Sequence, residues 1–313
     1  MSITKRIRDN QRNTVLSPVP PFPKSMMLEP SNACNHACRF CGNNRSGIKR
    51  VNIPVDFARD ILAQAAALGV EEVGLYLRGE PFLHPRLNEI VSYAKASGIG
   101  YVYLSSNGGC GTTEAYEAVL EAGLDSFKFS INAGNRQDFK AIHGKDDFEK
   151  VVERLRWLIA YREATGLDFK IYVSSTFIDA TRGAILAMRD EFAPLVDEYY
   201  VHGTCPVPGV KSTDLDHGFS LPCPMVFNRV HVTAEGYLNA CCFDFENALA
   251  VADLTRVPLN DAWASPLFED LRRKHLMRNA KGVLCGNCVA GGGVEYEPLV
   301  MEFMSRSKRH ENP

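Results

Sequence analysis

The chain has 313 residues, 45% of them hydrophobic, with 35 basic against 37 acidic side chains and a net charge of −2. That length suits one large domain, or one with a smaller companion, and the near-neutral balance gives no electrostatic reason to expect nucleic acid or an anionic membrane as partner. No run approaches the roughly eighteen apolar residues of a membrane span, and "MSITKRIRDNQRN" lacks the apolar stretch of a secretory signal, so a cytoplasmic protein is expected.

Residues 1–25 read as a polar N-terminal arm without periodicity, ending in the proline-rich "SPVPPFP". From residue 26 strand-like and helix-like stretches alternate. "MMLEPS" and "EVGLYLRG" are short apolar runs, and between them "VDFARDILAQAAALG" sets Phe57, Ile61, Ala65 and Leu68 on one helical stripe. A helical pattern after residue 85 leads to "YVYLSS", and "TEAYEAVLEAG" leads to "SFKFSI". Phe148, Val151, Val152, Leu155, Leu158 and Ile159 mark a long amphipathic helix before "FKIYVSST", and a helix from about 181 to 195 precedes "EYYVHG". Six strands with helices between them predict an α/β fold with a parallel sheet, closing toward a barrel or opening into a doubly wound sheet. Periodicity does not separate the two; in both, the site lies at the carboxyl ends of the strands.

The pattern breaks near 206, where "PVPGVKSTDLDHGFSLP" reads as a linker. Residues 222–294 then hold five cysteines, short strands around "RVHVTAEGYLNACC" and a helix near 265–276. A region this short and cysteine-dense is expected to build its core around metal rather than apolar mass. "SRSKRHENP" closes the chain as a charged tail.

Ten cysteines in a reducing compartment rarely form disulfides. Three of them, Cys34, Cys38 and Cys41, share the short stretch "CNHACRFC". Three thiolates on one loop can wrap an iron–sulfur cube and leave one iron open, which is where chemistry can occur. Zinc, a disulfide or redox thiols are the alternatives, although a structural zinc site wants four ligands in two pairs.

CxxxCxxC directly after a first strand, with Phe40 before the last cysteine, resembles the radical S-adenosylmethionine superfamily. The resemblance implies a partial six-stranded (β/α) TIM barrel over residues 26–210. In it Cys34, Cys38 and Cys41 hold a [4Fe-4S] cluster whose open iron binds S-adenosylmethionine, cleaved after reduction to methionine and a 5′-deoxyadenosyl radical. "RGEP" is similar to the GGE segment that meets the methionine amino group, so Gly79, Glu80 and Pro81 carry over, with Arg78 departing from the first glycine. "SSNGG" is similar to the family's TNG and points Asn107 inward; "FSINAG" resembles its S-x-D segment, with Ser130 and, in place of aspartate, Asn132. "SSTF" offers Ser174 or Ser175 for the same contact with the ribose or carboxylate.

"CPMVFNRVHVTAEGYLNAC", followed later by Cys285-Gly-Asn-Cys288, is similar to the auxiliary-cluster domains called SPASM and twitch. This implies a twitch domain over residues 211–297, with residues 298–313 as tail. Cys223, Cys241, Cys285 and Cys288 would hold a second [4Fe-4S] cluster, four-cysteine zinc being the alternative. Cys241 is preferred to Cys242 because it completes the G-x4-C spacing. Of the remaining cysteines, Cys110 is expected to pack as a small apolar residue. Cys205, just after "YYVHG", stands at the mouth of the sixth strand, where a thiol can face substrate; His202 and Arg78 point toward the same mouth and could orient a hydroxyl. The resemblance extends to enzymes of the 2-deoxy-scyllo-inosamine dehydrogenase type. It implies a small-molecule substrate, a sugar or aminocyclitol, and a flavodoxin- or ferredoxin-type electron donor. The expected reaction oxidises a carbinol carbon to a ketone, with the auxiliary cluster accepting an electron. Epimerisation with Cys205 or Cys242 as hydrogen donor is the alternative. Peptide modification stands third, because few residues precede the first strand.

Overall fold

The computed structural model describes residues 3–45, 47–203, 220–290 and 293–304, so the candidate Cys205 lies outside the described residues. The six expected strands form as β1 (Ser25–Leu28), β2 (Glu72–Gly74), β3 (Tyr101–Ser106), β4 (Ser126–Ser130), β5 (Lys170–Phe177) and β6 (Glu198–Gly203). Each runs parallel to the one before it. After α1 (Ile3–Arg12), the crossovers are α2 (Val55–Ala67), α3 (Leu87–Ala96), α4 (Thr113–Glu121), α5 (Arg136–His143), α6 (Phe148–Thr165) and α7 (Arg182–Phe192). This is the partial barrel. Along β4, Phe127 and Phe129 are fully buried under the helices. Ser126 and Lys128, on the alternate positions, face the lumen. On α2 the buried face is Ala58, Ile61, Leu62 and Ala65. The expected stripe is thus rotated, because Phe57 leans out over Gly236. Among the described residues no helix is long and apolar enough to cross a membrane.

The C-terminal region adds α8 (Met225–Asn228), β7 (Arg229–Val232), β8 (Tyr237–Asn239), β9 (Ala250–Asp253), α9 (Leu259–Trp263), α10 (Pro266–Leu276) and α11 (Cys285–Ala290). β7 pairs in parallel with β1, and β8 and β9 follow antiparallel, giving one nine-stranded sheet in the order β6-β5-β4-β3-β2-β1-β7-β8-β9. A core built around metal in place of apolar mass is therefore not what forms. Phe227, Val230, Leu238, Trp263, Phe268 and Leu271 belong to the same hydrophobic cluster as the barrel. The reason is geometric: β7 occupies the outer edge of β1, so the apolar faces of the two regions run into each other.

The N-terminal arm is also more ordered than its polarity suggested. Ile3 buries and Glu198, the first residue of β6, accepts from the Ile3 N–H at 2.6 Å and from the Thr4 hydroxyl. Arg6 lies 3.6 Å from Glu72, the first residue of β2, and its guanidinium is 3.9 Å from the centre of the Tyr103 ring. Few apolar residues hid the helical period, yet α1 closes the amino-terminal end of the barrel.

Candidate active site

The cysteine loop leaves the carboxyl end of β1. Cys34 is exposed, Cys38 and Cys41 are half-buried, and none is bridged. The Cys41 N–H donates to the Cys38 carbonyl at 3.0 Å, so one tight turn carries both. Burial, then the charges of Cys41 and Cys34, push the Cys38 thiol up, which places the three sulfurs within one another's field. The segment after β2 clamps this loop: the Glu80 N–H donates to the Ala33 carbonyl at 2.7 Å. A Cβ on Gly79 would stand 2.2 Å from the Ser31 carbonyl oxygen and 2.5 Å from that of Ala33, so only glycine permits the approach.

Glu80 is buried, and its carboxylate accepts from the Ser106 hydroxyl (2.8 Å), the Asn107 N–H (2.8 Å) and the Phe82 N–H (3.3 Å). Burial still pushes its carboxyl up to about 7. It ties the loop after β3 in place, and the Asn107 amide then reaches Asn35 Oδ1 at 2.9 Å and Cys34 Sγ at 3.6 Å. Pro81 buries and opens a short 3-10 turn, while Phe40 lies half-buried on the cysteine loop. Asn132 Oδ1 accepts from the Thr176 N–H at 2.8 Å, and Asn132 Nδ2 lies 3.5 Å from Ser130 Oγ. Ser174 pairs with Ser130 across the strands and shares its side of the sheet. Ser175 does not: its hydroxyl donates to the Ile131 carbonyl and meets Tyr199 at 3.0 Å on the opposite face.

A string of side chains absent from the sequence reading backs the loop. His143 Nε2 accepts from the Asn132 N–H at 3.0 Å, which leaves the proton on Nδ1. That Nδ1 faces His36 Nδ1 at 3.1 Å and Cys38 Sγ at 3.6 Å, and His36 Nε2 meets Asp147 at 3.1 Å. His36 sits visibly inside the cysteine motif; His143 lies 105 residues from Cys38 and carries no local signal.

The second cysteine set also assembles. Burial, then the charges of Cys223 and Cys288, raise the Cys285 thiol, and burial with Cys223 and Cys242 pushes Cys288 up to about 11. His275 accepts the Cys223 N–H at 3.2 Å through Nδ1, so its Nε2–H faces Cys285 Sγ at 3.3 Å. The Phe243 N–H points at Cys241 Sγ from 3.3 Å. Cys242 hydrogen-bonds to Cys241, shares the field of Cys223 and Cys288, and also lies within that of His231 and Arg229 on β7. His231 is fully buried, and among the described residues neither ring nitrogen has a hydrogen-bond partner.

Three expectations change. Arg78 does not reach the barrel mouth: it is buried with Glu29 and Glu235 and donates to Asn247 Oδ1 at 2.8 Å. Cys110 is half-buried rather than packed away, and burial, then the charges of Glu80 and Cys34, raise its thiol. Ser175 faces the helices. His202 stays in the lumen, 3.3 Å from Thr176 Oγ1, and burial lowers its pKa so that it is neutral near pH 7.

The donor chemistry fits iron–sulfur clusters, which thiolates hold. Each set offers clustered, unbridged thiols with N–H groups already aimed at sulfur, the kind of support that bound thiolates use. Residues 28–168 match the family model of the radical SAM superfamily, and residues 223–289 match SPASM, an iron-sulfur cluster-binding domain. The chain carries a radical SAM domain and a SPASM domain. Its cofactors are accordingly S-adenosylmethionine with a [4Fe-4S] cluster, and auxiliary iron–sulfur in the SPASM domain.

Among curated relatives, GTP 3′,8-cyclase of Chlorobaculum tepidum is 33% identical over 131 residues, covering 42% of this chain and 39% of that protein. PqqA peptide cyclase of Xanthomonas campestris pv. campestris is 34% identical over 118 residues, 37% of this chain and 30% of that one. The match thus spans at most two fifths of either relative. Among solved structures, Streptococcus suis SuiB bound to precursor peptide SuiA superposes with a TM-score of 0.64 at 14% identity, over 86% of this chain and 69% of that one. BtrN in complex with AdoMet and 2-DOIA gives 0.53 at 16% identity, over 81% and 87%. At such identity these two show the fold.

Proposed function

We propose that this radical SAM enzyme oxidises a carbinol carbon of a sugar or aminocyclitol, held in the barrel lumen, to a ketone. The supporting observation is the barrel mouth: the cysteine loop meets Asn107 there, Ser130 and Ser174 share the lumen side of β4 and β5, and the neutral His202 lies on the lumen side of β6. Cys34, Cys38 and Cys41 hold the S-adenosylmethionine cluster. Gly79, Asn107, Ser130, Asn132 and Ser174 contact the cofactor, and Glu80 fixes Asn107. Cys223, Cys241, Cys285 and Cys288 hold one auxiliary [4Fe-4S] cluster. Bound there, S-adenosylmethionine and the clusters supply a hydrogen-abstracting radical and an acceptor for the remaining electron. His202, neutral because it is buried, takes the hydroxyl proton. The alcohol thereby loses one hydrogen atom, one proton and one electron, which balances a ketone. A flavodoxin- or ferredoxin-type reductant in the cytoplasm completes the scheme.

Epimerisation is the alternative, and one observation favours it: Cys242 lies beside β7, whose Arg229 faces the lumen, and a thiol there can return a hydrogen atom to a substrate carbon. Peptide modification stands third: the likeness to peptide-bound SuiB rests on fold, and the 34% identity to a peptide cyclase spans 37% of this chain. Mass analysis of products made in deuterated water separates the first two. A ketone two mass units lighter, without solvent deuterium at the oxidised carbon and still formed by Cys242→Ala, is expected. An isomer carrying one solvent deuterium, lost in Cys242→Ala, would replace oxidation by epimerisation.

A further inference from the structure

Below the proposed site, toward α1, the lumen holds a cavity of about 100 Å³ whose charges do not balance. Arg6, Lys128 and Arg229 line it, and Glu72 is the one carboxylate in its described wall. Arg6 is 3.6 Å from Glu72, yet its Nε and Nη1 are buried without a hydrogen bond. Arg229 Nε donates to the Ser25 hydroxyl at 3.1 Å, a neutral partner. Lys128 meets no carboxylate among the described residues, and its ammonium lies 5.3 Å from the centre of the Tyr76 ring. A cation drawn out of water without a counter-charge is costly unless something pairs with it. Water alone would fill the space, for about 15 Å³ admits one molecule, but water leaves the excess positive charge in place. The walls add hydroxyls that donate, since burial raises the pKa of both Tyr76 and Tyr103 and keeps them protonated.

We propose that this lower lumen is an oxyanion subsite, taking a phosphate or carboxylate group of the substrate against Lys128, Arg6 and Arg229. The inference deepens the reading of a small lumenal substrate and rests on it, narrowing the class to acidic or phosphorylated sugars and cyclitols. Position supports this role. Lys128 precedes Ser130 by two residues on the same face of β4, so it stands about 7 Å deeper than the proposed cofactor contact. A substrate anchored there by its anion presents a ring carbon upward, toward the cysteine loop.

The test needs no knowledge of the substrate. Radiolabelled inorganic phosphate, and separately acetate, are equilibrated by dialysis against the cluster-loaded protein. One anion per chain is expected to bind, phosphate marking a phosphorylated and acetate a carboxylic substrate. Affinity should fall about tenfold or more in Lys128→Met, the loss expected for a charge-assisted contact, and recover in Lys128→Arg. Glu72→Gln should tighten binding by removing the competing charge. Arg6→Met serves if Lys128→Met does not fold, with the same loss expected. Failure of the parent to bind either anion, or binding unchanged in the methionine variants, overturns the subsite. Uncoupled S-adenosylmethionine cleavage by the parent reads the proposed chemistry separately. Anion binding without cleavage sinks the reaction and keeps the subsite, and cleavage without anion binding does the reverse.

Discussion

Glu80 works through Asn107, and a change of one atom can show it. In Glu80→Gln an NH2 group replaces one carboxylate oxygen, so either the Asn107 N–H or the Ser106 hydroxyl loses its acceptor. A buried donor left unpaired costs about 1–3 kcal/mol. The loop then no longer holds Asn107 against the cysteine turn, and S-adenosylmethionine binding should weaken about tenfold or more. Iron content should not change, because no ligand is touched. Equilibrium binding with an iron assay checks both; undiminished affinity would detach Glu80 from the cofactor. Glu80, Asn107 and the cysteines were readable because each lies in a short run whose spacing is fixed by one loop. The choice between Ser174 and Ser175 was not. β5 is buried on both faces, so its apolar run carries no alternation that would tell lumen from helix side. His143 escaped for another reason: its partner Cys38 is brought near only when α5 folds back over the first loop.

Among the elements, α1 is the one whose fold and place were both missed. A ten-residue helix with few apolar side chains is marginal by itself, so its order must come from what it docks against. That partner is largely Glu198, which accepts from the helix's first turn. Glu198→Gln should therefore loosen the helix without unfolding the barrel. Amide exchange in residues 3–12 should quicken while β3 and β4 stay protected, at a global cost of about 1–2 kcal/mol. Uniform exchange across the chain would show that α1 is part of the cooperative core. The strands and crossover helices were legible since their apolar periods are strong, whereas the run "RVHVTAEGYLNACC" showed strands but not their neighbour. Pairing of β7 with β1 joins residues about two hundred positions apart, and no local pattern encodes that.

The two matched regions behave as one body, and the buried ions say why. Arg78 from the barrel meets Glu29, the residue after β1, and Glu235 from the turn after β7, with Glu29 wholly buried. Arg78→Met leaves Glu29 without its counter-charge, and breaking such a pair typically costs about 3–5 kcal/mol. Denaturant melts should show that loss in a single transition, for the barrel and the C-terminal strands share one core. A change below about 1 kcal/mol would mean the cluster contributes little. Two separate transitions would mean that the regions fold apart. A cysteine count alone suggested a region dependent on metal; the shared apolar cluster predicts that its strands persist when iron is removed.

The β1–β7 ladder also governs how the spacing between the two cysteine sets can change over evolutionary time. Because Ser25 sits opposite Arg229 and Met27 opposite His231, the sets are positioned by rungs rather than by the length of the chain between them. A slip of one rung moves them by about 3.3 Å and turns each inward side chain outward, which would expel Arg229 and His231 from the interior. The smallest tolerable change is a double step of about 7 Å. Separation in this architecture is therefore a quantised trait: descendants inherit it unchanged or jump, with no gradual path between.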